Sequence, residues 1–318
     1  MEQNVNPTDG RPLVSVGLPA YKAEFLSRAI DSVLQQTYRN LELIIVNDCS
    51  PHDIQSVVSR YDDARIKYFV NETNVGAKDP ACNWNECLKK AGGEYFCLIC
   101  DDDVYEPTFI EEMLKLADKY PQCNVFHSSV KVFNAQDEVI QVFPKSPEWE
   151  NTAEYIKNVS ERKIKQTISE WMYKREHIVS LGGYSNLPLA WGSDYLSIMR
   201  FSVDGGIAST DKELAVFRRS NINITMQKQG QCETKVQALS LYRRELQKLV
   251  SGNEELSRTV SASCIESIID FEHSAILSEA DSNEFKRIAR NRKQYEISSS
   301  VVLKVRIKRM IKSVIRKK

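Results

Sequence analysis

Short apolar runs alternate with stretches of helical periodicity through the first part of the chain. Residues 13–19 form an apolar run that stops at a proline, and residues 23–36 follow with apolar positions three and four apart. The first pattern is typical of a buried strand and the second of an amphipathic helix. The alternation continues with strands predicted at 41–46, 66–70, 95–100 and 124–133 and helices predicted at 53–60, 81–91 and 107–119.

Polar residues gather where the predicted strands end. Asn47 and Asp48 follow the second strand, and three acids follow the run at 95–100. Strands that alternate with helices and carry polar residues at their ends predict a doubly wound, Rossmann-like α/β sheet. In such sheets the ligand site lies outside the carboxyl ends of the strands.

The second half of the chain has a different pattern. Residues 134–170 are polar with isolated aromatics, which favours a mobile segment over a site. Beyond about residue 221 the spacing is helical with mixed charge, and we expect these helices to pack on the sheet. The predicted organisation is an α/β domain at 1–225, a helical region at 226–300 and a tail at 301–318.

The three consecutive acids Asp101, Asp102 and Asp103 pose an electrostatic problem. Two carboxylates ~4 Å apart repel by roughly 4 kcal/mol at an effective dielectric constant of ~20, so the cluster needs a cation, a proton or exposure to water. A divalent metal ion that carries a phosphorylated ligand would supply the charge. The alternative is a solvated acidic turn between a strand and a helix.

The composition is that of an ordinary soluble protein, with 42% hydrophobic and 27% charged residues. No apolar run approaches the ~20 residues of a membrane-spanning helix, and the first ten residues lack the features of a signal peptide. We therefore expect a cytoplasmic protein. The eight cysteines lack the spacing of a disulfide framework or a zinc site, so we expect them to serve as small hydrophobic residues.

The formal net charge of zero hides a basic C-terminal tail. Residues 301–318 carry eight basic residues and no acids, interleaved with apolar residues that include Leu303, Ile307, Met310 and Ile311. A basic amphipathic helix of this kind binds anionic membrane surfaces, which predicts peripheral attachment at the inner face of the cytoplasmic membrane. The alternatives are a tail that binds nucleic acid, which we do not expect, and one that packs on the protein.

Six short motifs follow one another at 14–21, 32–38, 46–50, 74–76, 91–95 and 101–103. With these motifs in this order, the chain resembles the family 2 glycosyltransferases of GT-A fold. The resemblance covers roughly residues 12–225 and implies inverting transfer of a sugar from a nucleoside diphosphate donor, usually a UDP-sugar, with Mn or Mg as cofactor. The implied acceptor is a hydroxyl of a glycan or lipid-linked molecule in surface polysaccharide synthesis.

The resemblance assigns the nucleoside end of the donor to the first two strands. Pro19, Ala20 and Tyr21 lie at the mouth of the first strand, where the tyrosine ring can stack on a base. Asp48 has the motif position that accepts a hydrogen bond from the imide N–H of uracil. The alternatives are a half-buried core role for Tyr21 and, for Asp48, a turn that starts the following helix.

The same resemblance distributes roles among the acids. It makes Asp102 the metal ligand and places Asp101 beside the ribose or the metal, where the ion would neutralise charge on the departing nucleotide. We expect Asp103 to be a first-turn acid of the next helix, favoured by the helix dipole. Cys100 and Ser220 depart from the pattern, because many relatives carry an acid and a metal-facing histidine at these positions.

A second landmark of the family lies at residues 178–195. The resemblance makes Asp194 the base that takes the proton of the acceptor hydroxyl, and the alternative is a helix N-cap or first-turn acid that serves only the helix. It implies that Gly183 lets the backbone approach the sugar and that Trp191 stacks on a sugar face, with core packing as the alternative for Trp191. Lys78 is a candidate for charge facing the diphosphate, with a solvated surface lysine as the alternative.

Two other functions stay open at this point. A sugar nucleotidyltransferase also uses strand-end acids, but it normally has a glycine-rich basic loop after its first strand, and residues 18–22 lack those glycines. A non-catalytic module that binds a nucleotide sugar is the other alternative, and the departures at Cys100 and Ser220 favour it. The resemblance to the glycosyltransferases makes sugar transfer the leading hypothesis.

Overall fold

The computed structural model of the chain describes residues 10–219 and 230–315, with side chains up to residue 311. In these residues ten strands form one mixed sheet. The strands are β1 (Val14–Ala20), β2 (Leu41–Asn47), β3 (Ile66–Val70), β4 (Tyr95–Leu98), β5 (Val104–Tyr105), β6 (Val125–Phe133), β7 (Val139–Val142), β8 (Trp149–Glu150), β9 (Trp171–Lys174) and β10 (Ile207–Arg218).

Helices cover both faces of this sheet. They are α1 (Leu26–Leu34), α2 (Ile54–Val58), α3 (Ala81–Lys90), α4 (Phe109–Lys119), α5 (Thr152–Ser160), α6 (Arg175–Ser180), α7 (Ser193–Phe201), α8 (Cys232–Gly252), α9 (Glu254–Thr259), α10 (Ala262–Glu279), α11 (Ser282–Arg290) and α12 (Ser299–Ile315). A short 3-10 turn at Pro188–Ala190 precedes α7.

The strand order brings the ends of the predicted motifs together. The order is β3-β2-β1-β4-β9-β6-β10-β5, with β1 parallel to β2 and β4, and β9 antiparallel to β4 and β6. Val14 pairs with both Leu41 and Tyr95, so the carboxyl ends of β1, β2 and β4 lie at one edge. This edge carries the motif residues, as the doubly wound pattern predicted.

The core has two layers because side chains of a strand alternate between the two faces of a sheet. In β2, Leu43 and Ile45 face a layer formed with α1, α2 and α4, whereas Ile44 and Val46 face a layer formed with α3, α7 and the C-terminal helices. The helical region therefore shares a hydrophobic core with the sheet, and the predicted packing of these helices on the sheet is confirmed.

One local prediction differs from the structure. Helix α4 begins at Phe109, and the strand β5 lies between the acids and this helix, so Asp103 is not a first-turn acid of α4. The polar segment 134–170 contains β7, β8 and α5, and several of its residues line the large cavity described below. Helix α5 forms there because Asn151 and Glu154 make a reciprocal capping box at its start.

The last helix, α12, is partly core and partly surface. Val301, Val302 and Val305 are buried in the core layer that also contains α10. The apolar positions that the sequence grouped on one side, Leu303, Ile307, Met310 and Ile311, are 49% to 67% exposed. Within the described residues, no helix combines the length and apolar character that a membrane crossing requires.

Candidate active site

The acids after β4 lie in a buried, hydrogen-bonded turn. Asp101, Asp102 and Asp103 are each at most 4% exposed, which excludes a solvated acidic turn. One carboxylate oxygen of Asp101 accepts hydrogen bonds from the backbone N–H groups of Tyr21 at 2.9 Å and Lys22 at 2.6 Å. The end of β1 and the end of β4 are thereby joined through Asp101.

The three acids do not point to one centre. The carboxylate of Asp103 accepts hydrogen bonds from the hydroxyl of Ser169 at 2.6 Å and from the backbone N–H of Arg218 at 3.0 Å. Burial, with the charge of Asp102 next, raises the pKa of Asp103 well above its usual range. Asp103 therefore links β4 to β10, a structural role that the sequence prediction missed.

Lys22 supplies the cation that the acid cluster needs. Its Nζ lies 2.5 Å from Oδ2 of Asp102 and 3.1 Å from Oδ1 of Asp101. Burial disfavours the charged ammonium, but the two carboxylates outweigh it and raise the pKa of Lys22 above its usual range. Lys22 was not predicted as a site residue, although its position directly after the motif residue Tyr21 could have indicated a cation at the end of the first strand.

The carboxylate of Asp48 holds a loop in place. It accepts hydrogen bonds from the side-chain amide of Asn71 at 2.8 Å and from the backbone N–H groups of Val75 at 2.9 Å and Gly76 at 2.8 Å. A Cβ at position 76 would lie 2.7 Å from Asp48 Oδ2, so the contact requires glycine. Asp48 does not start the following helix, because Asp53 accepts the capping hydrogen bond there.

A large cavity lies over this edge of the sheet. Its volume is about 1740 Å³, which exceeds the ~300–1,000 Å³ of a pocket for one small ligand. The ends of β1, β2 and β4 line it together with residues from α7, α8 and α10. The cavity therefore has room for a donor and for part of an acceptor.

The predicted nucleoside-binding residues divide into lining and supporting positions. Pro19, Tyr21 and Asp48 line the cavity. Tyr21 is 40% exposed and meets the ring of His52 edge-on, with 6.2 Å between the ring centroids, so a face of the tyrosine is open to a ligand. Ala20 is fully buried, and its carbonyl accepts a hydrogen bond from the N–H of Asp48 at 3.0 Å.

Asp194 faces the same cavity from the first turn of α7. The N-cap of this helix is Gly192, which has φ of 86° and makes no side-chain capping bond, so Asp194 does not serve as the cap. Burial raises the pKa of Asp194 to about 6. A carboxylate whose pKa approaches neutrality is a better proton acceptor than one with the ordinary value near 3.8.

Trp191 and Glu272 flank Asp194 in the cavity wall. The ammonium of Lys235 lies 4.2 Å from the centroid of the Trp191 ring, a cation–π contact that fixes the indole. Burial, followed by the charge of Asp194, raises the pKa of Glu272 to about 7. No sequence motif marks Glu272, because α10 also carries Glu266, Asp270 and Glu279 and nothing in the sequence distinguishes Glu272 from them.

Two predicted residues lie away from the cavity lining. Gly183 has φ of 77°, and a Cβ there would collide with Oδ1 of Asn85, which explains the glycine without a sugar. Lys78 is exposed and is not among the lining residues; its carbonyl accepts a hydrogen bond from Leu189 N–H at 2.8 Å. Their sugar and diphosphate roles gain no support, and Ser220 lies outside the described residues.

The acids at the cavity wall could hold a metal ion together with a ligand. Asp101 and Asp102 offer carboxylate oxygens there, and Mg²⁺ and Mn²⁺ with nucleotides typically use one or two carboxylates with phosphate and water oxygens. No group of three histidine, cysteine, aspartate or glutamate side chains converges in residues 10–219 and 230–311. The residues thus fit an ion that arrives with a diphosphate better than one held by protein groups alone.

Curated proteins match part of the chain. An uncharacterized glycosyltransferase of Rickettsia typhi is 39% identical over 109 residues, 34% of this chain and 33% of its own. The putative colanic acid biosynthesis glycosyl transferase WcaA of Escherichia coli K12 is 34% identical over 144 residues, 43% of this chain and 50% of its own. The chain thus spans a third to a half of these two relatives.

Solved structures share the fold at low sequence identity. Staphylococcus aureus TarS 1–349 in complex with UDP-GlcNAc matches with a TM-score of 0.62 and 15% identity, over 92% of this chain and 88% of that one. The mannosyltransferase PcManGT from Pyrobaculum calidifontis, in complex with GDP-Man and Mn²⁺, matches with a TM-score of 0.57 and 17% identity, over 95% and 80%. The predicted GT-A fold is confirmed.

The sequence profile of glycosyl transferase family 2 matches residues 15–176. This match contains β1 to β9, the buried acids and the Lys22 contacts. It covers half of the 318 residues, and the family prediction from the six motifs agrees with it. The chain therefore belongs to glycosyl transferase family 2.

Proposed function

We propose that the protein transfers a sugar from a nucleoside diphosphate donor, with UDP-sugars as the favoured class, to a hydroxyl of a glycan or lipid-linked acceptor. One observation carries the proposal. Asp194, a carboxylate with pKa raised to about 6, faces the same large cavity as Tyr21 and the buried acids Asp101 and Asp102. A nucleotide site and a proton acceptor thus share one enclosed space.

In this proposal the donor lies along the strand edge. The base stacks on the open face of Tyr21, next to Pro19 and the loop that Asp48 orders. A Mn²⁺ or Mg²⁺ ion, when bound with the donor, would be held by Asp101 and Asp102 and would stabilise negative charge on the departing diphosphate. Uridine is favoured because Asp48 can still accept a hydrogen bond from an imide N–H.

The chemistry is an inverting single displacement. The acceptor oxygen forms a bond to the anomeric carbon while the bond from that carbon to the diphosphate oxygen breaks on the opposite face. The hydroxyl proton passes to the carboxylate of Asp194, and the nucleoside diphosphate leaves with the electron pair. A positioned base of this kind contributes typically ~10²- to 10⁴-fold to the rate.

The acceptor side is supplied by the C-terminal helices in this proposal. Phe271 and Glu272 of α10 and Tyr242 of α8 line the part of the cavity that also contains Trp191 and Asp194. Phe271 is 47% exposed, and the guanidinium of Arg162 lies over its ring, 4.5 Å from the centroid, so an aromatic ring, a cation and a carboxylate come together in the lining. Such a set suits a sugar, which presents apolar C–H faces and hydroxyl groups. The acceptor hydroxyl would then lie between the donor and these helices.

Attachment to an anionic membrane surface is a further part of the proposal. The exposed side chains Leu303, Ile307 and Met310 of α12 alternate with the exposed cations Lys304 and Lys308. Apolar insertion and cation attraction together are what a peripheral helix uses on a lipid surface. Such a helix would place the cavity close to lipid-linked acceptors at the inner face of the cytoplasmic membrane.

The support from relatives is for the donor class. TarS was solved in complex with UDP-GlcNAc, and the name of an E. coli relative, WfgD, specifies glucosyl transfer from UDP-Glc to a diphosphoundecaprenol-linked acceptor. WfgD is 36% identical over 105 residues, 33% of this chain and 40% of its own. These ligands and activities belong to those proteins, and they motivate the donors and acceptors to be tried.

A donor panel tests the proposal. The full chain is incubated with UDP- and GDP-sugars, Mn²⁺ and a bacterial lipid extract as acceptor source, and nucleotide release is measured. We expect UDP release from one or a few UDP-sugars. UDP binding without turnover of any donor would indicate a binding module, and release of pyrophosphate from UTP and a sugar phosphate would indicate a nucleotidyltransferase.

A further inference from the structure

The buried acids are already neutralised by a side chain of this chain. The ammonium of Lys22 bridges Oδ2 of Asp102 at 2.5 Å and Oδ1 of Asp101 at 3.1 Å. These are the oxygens through which a metal ion with the donor would be held. An ammonium and a divalent cation cannot both occupy that position, because they repel each other and compete for the same lone pairs.

The geometry lets the ammonium move while its backbone stays in place. The N–H of Lys22 is held by the other oxygen of Asp101 at 2.6 Å, so the Cα is tied to the acid turn. The side chain is 21% exposed and lines the cavity, and its four-carbon stem has several rotatable bonds. Leaving the carboxylates would carry the ammonium into the space assigned to the diphosphate.

The neighbouring cation cannot take over this task in the observed arrangement. The guanidinium of Arg218 is 1% exposed, donates from Nε to the backbone carbonyl of Asp102 at 3.1 Å and pairs through Nη1 with Asp137 at 2.5 Å. Its plane also stacks on the ring of Phe25, 4.5 Å from the ring centroid. Arg218 is therefore a fixed structural cation, whereas Lys22 reaches the oxygens that face the cavity.

We propose that Lys22 is an internal counter-ion that occupies the metal position between Asp101 and Asp102 and moves to the diphosphate oxygens when donor and metal bind together. The proposal rests on the nucleotide site proposed above. It makes metal binding conditional on the donor, because the diphosphate would arrive with the metal ion and offer Lys22 a new anionic partner. The free protein is then protected from loading a divalent ion without its substrate.

The test measures Mn²⁺ binding by electron paramagnetic resonance, with and without UDP, on the full chain. Lys22→Met removes the charge and keeps the length, and Lys22→Arg keeps the charge. Without UDP, we expect Lys22→Met to bind Mn²⁺ about tenfold more tightly than the wild type, the effect of one charge-assisted hydrogen bond. Lys22→Arg should resemble the wild type, and adding Asp102→Asn should abolish the gain.

A second measurement separates this idea from the proposed function. UDP should raise the Mn²⁺ affinity of the wild type by a larger factor than that of Lys22→Met, because only the wild type must displace an ammonium. Unchanged or weaker Mn²⁺ binding by Lys22→Met would overturn the proposal. If the variant is too unstable for titration, rescue of its Tm by Mn²⁺ alone supports the proposal, and lack of rescue rejects it. No measurement requires turnover, so a wrong donor class leaves the result readable.

Discussion

Asp194 on α7 and Glu272 on α10 are 78 residues apart in sequence, and their carboxylates face one cavity. Burial and the nearby charge of Asp194 raise the pKa of Glu272 to about 7, while burial raises that of Asp194 to about 6. The helical region beyond residue 230 is thus part of the site wall. Its contribution supports a role in acceptor binding.

Replacing Asp194 with asparagine should stop transfer and preserve donor binding. The amide cannot accept the proton of the acceptor hydroxyl, so we expect the rate of UDP release to fall by ~10²- to 10⁴-fold. UDP affinity, measured by calorimetry, should stay within about twofold, because the proposed nucleoside residues Tyr21 and Asp48 follow β1 and β2 whereas Asp194 is on α7. An Asp194→Asn enzyme with wild-type turnover would remove its assignment as the base.

The pH dependence of turnover follows from the same residue. The base must be deprotonated to act, so kcat/KM should rise with pH through the raised pKa of Asp194, about 6, and level off above it. The residual activity of Asp194→Asn should lack this acidic limb. A wild-type profile that is flat between about pH 5 and 8 would contradict a base with this pKa.

Glu272→Gln should weaken binding of the acceptor. The variant keeps the shape of the side chain and removes the charge that can accept hydrogen bonds from sugar hydroxyls, so we expect the acceptor KM to rise about tenfold. UDP affinity should not change. The matched control is Glu266→Gln, a more exposed position on the same helix that pairs with Arg243. Equal effects of both substitutions would indicate a general change in α10.

Tyr21→Ala should weaken UDP binding with or without a metal ion. Stacking of a base on an aromatic ring contributes ~1–3 kcal/mol, which corresponds to about a 5- to 150-fold loss of affinity. Tyr21→Phe keeps the ring and should bind UDP nearly as well as the wild type. If Tyr21→Ala and the wild type bind UDP equally, the base does not lie on this ring.

Glu150→Gln should stabilise the protein at alkaline pH. Burial raises the pKa of Glu150 to about 7, so the folded state favours its protonated form. The pKa of Glu150 is higher in the folded protein than in the unfolded chain. The contribution of this side chain to the free energy of unfolding is therefore fully present below about pH 4.5 and is lost as pH rises through about 7. The amide can still accept the hydrogen bond that Asn158 donates at 2.8 Å.

The measurement is the free energy of unfolding in urea at pH 5 and pH 8. We expect Glu150→Gln to gain about 1–3 kcal/mol relative to the wild type at pH 8 and little at pH 5. Glu72→Gln, at an exposed position, is the control and should change the free energy of unfolding by less than about 0.5 kcal/mol at either pH. A Glu150→Gln effect that is the same at both pH values would contradict the raised pKa.

The membrane prediction is best tested by surface substitutions. A chain that ends at Ser298 would also lose Val305, which is fully buried, so truncation would disturb the core. We expect Ile307→Ser with Met310→Ser, and separately Lys304→Glu with Lys308→Glu, to reduce co-sedimentation with phosphatidylglycerol vesicles severalfold. Wild-type protein should not sediment with neutral phosphatidylcholine vesicles, and unchanged binding by both variants would reject α12 as the membrane contact.

Much of the donor side followed from local sequence patterns. The apolar runs and the helical rhythm predicted the strands and helices that carry the motifs, because a strand buried on both faces needs a continuous apolar run. Pro19, Tyr21, Asp48, Asp101 and Asp102 were named from short motifs, and the structure brings them to one edge. Because β1 pairs in parallel with β2 and β4, the residues that follow these three strands lie close together.

Other features depended on contacts between distant segments. Gly183 was assigned to the substrate by its motif and Lys78 by its charge, but neither lines the cavity. Gly183 lies in a turn that packs against the side chain of Asn85, and Lys78 is exposed on the surface. Asp103 was assigned to a helix start, although it accepts hydrogen bonds from Ser169 and Arg218. No local pattern reports which residue 66 or 115 positions away will donate to it.

Periodicity and short motifs were sufficient to predict five of the ten described strands, the family and the identity of the acidic and aromatic groups at the strand ends. Folding in three dimensions settled which of those groups share a cavity, which cation neutralises the acids and which C-terminal side chain joins Asp194. These are questions of distance and burial between segments far apart in the chain. Charge, hydrogen bonding and pKa depend on that separation through space, and the order of residues alone does not specify it.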